Sequence, residues 1–252
     1  MLSTKIPTEF NSRLTKTELV LGIALLVAHV LVFPILFAWA IVQLAAMPEL
    51  PVWLLTLVES EHAATVTAML AQYLLSFILC FFIFRRFLRR EFDIFLDSPI
   101  WSVMSIISGY IVMYILSIML SLILVQFFDA ETITDMVEGA TSASEQLATG
   151  TLFALNVFLG PFIFEPLFRG VIFGTLRKKS RALGYAVSMF AFSAYYVLPL
   201  AVSGLDWKVA FFAVQQIPAG FALAKTYERT NSIWPPIILH MMVNAFTLLG
   251  IF

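Results

Sequence analysis

From Leu19 to Ala46 the chain runs without one Asp, Glu, Lys or Arg, and about 20 consecutive apolar residues suffice for a helix to cross a bilayer core. Six more stretches read the same way: Ala63–Phe84, Trp101–Phe128, Leu152–Leu176, Leu183–Val202, Val209–Ala224 and Ile233–Phe252. The sixth is short and interrupted by Gln215, Gln216 and Pro218. Composition leaves no alternative solvent. Hydrophobic residues make up 61% of the 252 and charged residues 12%, against about 45–50% and roughly a quarter in soluble domains. Too few charges exist to build a water-soluble shell, so the expected fold is an all-α polytopic membrane bundle of about seven helices. The first stretch is too long for a signal-peptide core and is read as a retained anchor. The single Cys80 excludes an intrachain disulfide.

Charge between the spans sets an orientation. Lys5, Arg13 and Lys16, then Arg85, Arg86, Arg89 and Arg90, then Arg177, Lys178, Lys179 and Arg181, then Lys225 and Arg229 fall on one side. The other side holds Lys208 and the acids Glu49, Glu59, Glu61, Asp129, Glu131, Asp135, Glu138, Glu145 and Asp206. By the positive-inside rule the N-terminus is expected in the cytoplasm and the C-terminus outside. A bacterial plasma membrane fits this pattern, and an endomembrane location is compatible with it.

Helix punctuation agrees with these limits. Ser98-Pro99 marks the start of a helix. Ser142-Ala-Ser-Glu145 has the form of a capping box, and Pro235-Pro236 suit a first turn. Between the second and third spans, Leu88, Phe92, Phe95 and Leu96 share one helical face of RRFLRREFDIFL, which suggests a short helix lying in the inner interface, with a solvated basic loop as the alternative. The loops are too short for a soluble domain. Residues 1–150 read as N-terminal helices with this interfacial segment, and 151–252 as a core.

Within that core, FIFEPLFRG places Glu165 and Arg169 four residues apart inside a span. A charge near the bilayer centre costs at least about 2.5–3.5 kcal/mol, so both side chains are expected to face the bundle interior and pair on one helical face. Pro166 and Gly160-Pro161 imply local distortion, with carbonyls that need partners from neighbouring helices. The last span offers His240 and Asn244, also one turn apart, and the fifth offers Ser193, Tyr195 and Tyr196. Two readings stand open on the residues alone: interhelical hydrogen bonds that hold the bundle, or one functional site on which these groups converge.

EPLFRG, the aromatic cluster FSAYY and HMMVN, in that order on successive core helices, resemble the CPBP family. That family comprises the type II CAAX prenyl endopeptidases and their bacterial Abi relatives. The resemblance runs from about Leu152 to Phe252 and implies an intramembrane endopeptidase fold. The family pattern is Glu-Glu-x-x-x-Arg, Phe-x-x-x-His and His-x-x-x-Asn or Asp. Its second Glu and Arg fall on Glu165 and Arg169, and its last motif on His240 and Asn244. Its first Glu, the general base, falls on Phe164, and the His of its second motif, which begins at Phe192, on Tyr196.

The resemblance thus identifies Glu165, Arg169, Tyr196, His240 and Asn244 as the motif positions. It also shows two water-activating groups replaced, since hydrolysis needs a group to take a proton from water and usually a partner to polarise it. His29 and His62 lie outside the matching region. A zinc site with three protein ligands cannot be made from Glu165 and His240 alone, and no cofactor is expected. The reading that follows is a family member that has lost proteolysis and binds a membrane protein or lipidated peptide within the bilayer. The alternative is an active endopeptidase with a rearranged site, using Glu165 and His240 with Tyr196 as electrophile. A small transporter or channel is a third reading, weakened because no matched halves are visible. Nothing points to nucleic acid.

Overall fold

The computed structural model describes residues 10–11, 14–128, 149–204 and 207–250. Those residues form helices: α1 (Lys16–Ala45), α2 (Glu61–Asp97), α3 (Pro99–Leu124), α4 (Phe153–Arg177), α5 (Arg181–Ser203), α6 (Trp207–Gln215), α7 (Ile217–Thr230) and α8 (Trp234–Leu248). A single turn, Val52–Leu55, lies between α1 and α2. The acidic stretch around Asp129–Glu145, with its capping-box pattern, lies outside the described residues.

Local chemistry accounts for the starts. Thr15 caps α1 in a full capping box: its hydroxyl accepts the Glu18 N–H at 3.2 Å and the Glu18 carboxylate accepts the Thr15 N–H at 2.8 Å. Ser60 caps α2 and Ser180 caps α5, each through its hydroxyl. Ser98-Pro99 opens α3, and Pro235 and Pro236 occupy the first turn of α8, as their sequence predicts.

Among the described residues, five helices are long and apolar enough to cross a membrane: α1 to α4 and α5 over Arg181–Ala201. The sixth apolar stretch is two helices, because α6 ends at Gln215 and α7 restarts around Gln216 and Pro218 with 9 and 14 residues respectively. The last helix has 15 residues.

A second difference concerns RRFLRREFDIFL. It forms no separate interfacial helix but continues α2, whose 37 residues reach about 55 Å at 1.5 Å each, well beyond a core of about 30 Å. No Gly or Pro interrupts the stretch, and burial docks its far end. Phe87, Leu88 and Glu91 are buried, and the Glu91 carboxylate accepts the Ile233 N–H at 3.0 Å. The Glu91 carbonyl accepts the Ser232 hydroxyl at 2.7 Å.

That docking gathers the basic residues at one pole. Arg90 pairs with Glu18 at 3.1 Å. Arg177 and Arg181 reach the two oxygens of Glu228 at 2.6 and 2.7 Å, and Lys225 adds a longer contact. Burial alone would raise the Glu228 carboxyl, but hydrogen bonds from Arg177, Tyr185 and Arg181 outweigh it and hold the group below its ordinary value. The starts of α1, α3, α5 and α8 therefore meet the ends of α2, α4 and α7.

The bundle is built around α4. In its most apolar window 83% of residues are buried, against 22% in α1 and 11% in α2 and α3, whose exposed Ile35, Phe82 and Leu122 face where lipid would be. Close approach is permitted by Gly22. A Cβ there would lie 2.6 Å from Val171 and 2.7 Å from Phe84, so only glycine lets α1 sit this near α2 and α4.

Candidate functional site

Three segments of this bundle widen to π-helical pitch: Ala28–Val32 in α1, and Phe153–Leu159 and Glu165–Phe173 in α4. Each widening adjoins a proline, and the backbone bonds show why. Where each N–H reaches back five residues, as Phe33 does to the Ala28 carbonyl, Pro34 has no N–H to offer His29. The Gln72 amide of α2 donates to that His29 carbonyl instead, at 3.0 Å. Pro161 leaves the Asn156 carbonyl without a donor in the same way, and the Asn244 amide of α8 supplies one at 2.6 Å. Pro166 deprives the Phe162 carbonyl, four residues back, and the Cys80 thiol donates there at 3.4 Å. Carbonyls freed inside a membrane need donors from neighbouring helices, and here side chains of α2 and α8 provide them.

The distortion around Pro166 turns Glu165 and Arg169 inward, where both are fully buried. Arg169 donates to the Glu165 carboxylate at 3.2 Å and to the Gly220 carbonyl of α7 at 3.3 Å. Its guanidinium stacks 4.3 Å above the Phe192 ring of α5. The same Glu165 oxygen accepts from His240 Nδ1 at 2.7 Å, and His240 Nε2 lies 3.0 Å from the Tyr196 hydroxyl. A carboxylate only accepts, so His240 Nδ1 donates to Glu165, and Nε2 and the Tyr196 hydroxyl share the second hydrogen bond. Arg169, Glu165, His240 and Tyr196 thus form one hydrogen-bonded chain across α4, α8 and α5. Asn244, one turn along α8 from His240, makes the carbonyl contact already described. Among the described residues, Glu165 Oε2, Arg169 Nε and Ser193 Oγ are buried without a partner.

Phe164 is 3% exposed and boxed by aromatic rings. Its centroid lies 4.7 Å from Tyr195, 5.6 Å from His29, 6.2 Å from Tyr196 and 6.3 Å from His240. His29 lies outside the matching region in sequence but is buried beside this box, with Nδ1 2.7 Å from the Ser76 hydroxyl and Nε2 2.9 Å from the Tyr195 hydroxyl, which itself contacts Tyr73 at 3.2 Å. Adjacent tyrosines therefore hold two imidazoles on either side of Phe164: Tyr195 with His29, and Tyr196 with His240. A signal was present in the sequence, because a histidine in an otherwise uncharged span has the same reason to face inward as Glu165. His62 is exposed at the start of α2. Among the described residues no group of three or more His, Cys, Asp or Glu side chains could hold a metal ion.

Residues 146–246, which contain this chain of contacts, match the family model described as type II CAAX prenyl endopeptidase Rce1-like. Over 102 residues the chain is 28% identical to YdiL of Bacillus subtilis (strain 168), a candidate membrane peptidase by its given name. That match covers 40% of this chain and 38% of the relative, so well under half of either protein is compared. No solved structure matches. Over residues 146–246, with the three motif segments in their expected order on α4, α5 and α8, the chain is similar to the CPBP family of CAAX-protease-like membrane proteins.

Proposed function

We propose that this protein has given up peptide hydrolysis and uses the CPBP bundle to bind a membrane protein or a lipidated peptide within the bilayer. The observation that carries the reading is the double engagement of His240. One ring nitrogen is held by Glu165 and the other by Tyr196, so neither is open to take a proton from water. The position of the family's general base holds the Phe164 ring, packed against six aromatic neighbours among the described residues. Glu165 is engaged by Arg169 and His240 through the same oxygen. In this arrangement Glu165, Arg169, Tyr196 and His240 join three helices rather than activate water.

A second reading rests on Glu165 Oε2, which is buried and without a protein partner. Opening the Tyr196 contact would leave a carboxylate–imidazole pair and a phenol as electrophile, the elements of an endopeptidase with a rearranged site. Cleavage of a fluorogenic lipidated peptide by the purified full chain in liposomes separates the two. The first reading expects no turnover by the parent, and turnover by Phe164→Glu/Tyr196→His once binding of the peptide shows that variant to be folded. Parental cleavage lost in both Glu165→Gln and His240→Ala would overturn it.

A further inference from the structure

At the basic pole, a groove of about 420 Å³ runs along α2 where it faces α4 and α8. Phe77, Phe81, Phe162 and Trp234 wall it, and Arg85 and Arg89 stand at its rim. Phe77, Phe81, Arg85 and Arg89 follow at intervals of four, so they form a single stripe of α2 that changes from aromatic to cationic towards the pole. The walls are fixed. Trp234 donates its indole N–H to the Leu88 carbonyl at 3.0 Å, and its ring packs edge-on against Phe162 at 5.8 Å.

Five of the described cations of this pole are held by neighbours. Arg90 is held by Glu18, Arg177, Arg181 and Lys225 by Glu228, and Arg229 lies over the Trp101 ring at 4.7 Å. Arg85 and Arg89 are exposed and, among the described residues, form no ion pair. Indoles and arginines gathered at one level of a bundle mark headgroup depth. An apolar slot opening there beneath two uncompensated guanidinium groups matches a molecule with a hydrocarbon chain and an anionic head. Basic pockets between membrane helices recognise such heads, and guanidinium forks suit phosphate oxygens.

We infer that the groove between α2, α4 and α8 is a binding site for one anionic phospholipid, its phosphate held by Arg85 and Arg89 and an acyl chain lying along Phe81, Phe77 and Phe162. The site is separate from the Glu165–His240 chain and does not depend on whether the protein cleaves peptides. Removing both arginines should weaken the lipid about 30-fold, taking the surface attraction of each basic residue from its typical strength.

The test is thermal melting and native mass spectrometry of the full chain in neutral detergent, titrated with phosphatidylglycerol, phosphatidylcholine or inorganic phosphate. Phosphatidylglycerol should raise the melting temperature and stay bound, while the other two should do neither. Arg85→Gln/Arg89→Gln should lose that response, and Arg86→Gln, whose side chain does not line the groove, should keep it. Equal effects of the two lipids would overturn the assignment, as would stabilisation by inorganic phosphate alone or an unchanged response in the double variant. The comparison of lipids on the parent protein stands even if a variant fails to fold.

Discussion

Replacing Arg169 with Met isolates the buried ion pair. The side chain is fully buried and makes three contacts: Glu165 at 3.2 Å, the Gly220 carbonyl at 3.3 Å and the face of Phe192 at 4.3 Å. Met fills much of the same volume but leaves a buried carboxylate whose remaining partner is the His240 ring. Breaking a buried pair by removing one member costs about 3–5 kcal/mol, whereas replacing both by neutral groups is often close to neutral. For a chain of this size 1 kcal/mol moves the melting temperature by about 2–4 °C, so Arg169→Met should melt on the order of 10 °C below the parent in detergent. Glu165→Gln should fall by a similar amount because it strands the guanidinium. Glu165→Gln/Arg169→Met should melt above either single variant, giving a coupling energy of about 2–4 kcal/mol in a double-mutant cycle. A single Arg169→Met variant within about 2 °C of the parent would refute the reasoning. Effects of the two substitutions that simply add would do the same.

Asn244→Leu should cost about 1–3 kcal/mol by leaving the Asn156 carbonyl without a donor, and Pro161→Ala, which restores a backbone N–H, should remove at least half of that loss; melting curves of the two variants and their combination check this. Gln72→Leu with and without Pro34→Ala should repeat the pattern in α1. Glu228 has its carboxyl below the ordinary value of 4.5, so its contribution to stability is present above that value and disappears as pH falls through the folded pKa. Melting followed downward through this window should show a loss that Glu228→Gln lacks. Gly22→Ala should destabilise the bundle by about 1–3 kcal/mol, since its Cβ would lie 2.6 Å from Val171, and a melting temperature equal to the parent's would contradict the packing of α1 on α4.

Much of this arrangement was visible in the residues. The cost of burying Glu165 and Arg169 in lipid required that they face inward, and the order of EPLFRG, FSAYY and HMMVN placed them with Tyr196 and His240. What stayed hidden depended on register between helices. That His29 lies against Phe164 follows from a π turn whose proline comes five residues later, which fixes the rotation of α1. The continuation of α2 beyond Phe84 was hidden for a different reason: the charged residues RRFLRREFD look like a change of environment, yet nothing in them stops a helix. The break between α6 and α7 was marked by Gln216 and Pro218, but whether a short stretch is one bent helix or two is decided by packing.

The burial of α4 also bears on how the chain enters its membrane. Its most apolar window has a mean hydropathy of 1.5, against 2.8 and 2.1 for α1 and α2. During synthesis α1 and α2 emerge first and bring Gly22 and Cys80, two of the places where α4 will seat. His240 and Asn244, which take up Glu165 and the Asn156 carbonyl, arrive only with α8. Until α8 has been made, α4 therefore remains a half-matched segment that the insertion machinery must shelter, and a chain cut before Trp234 should be recognised as unfinished and degraded.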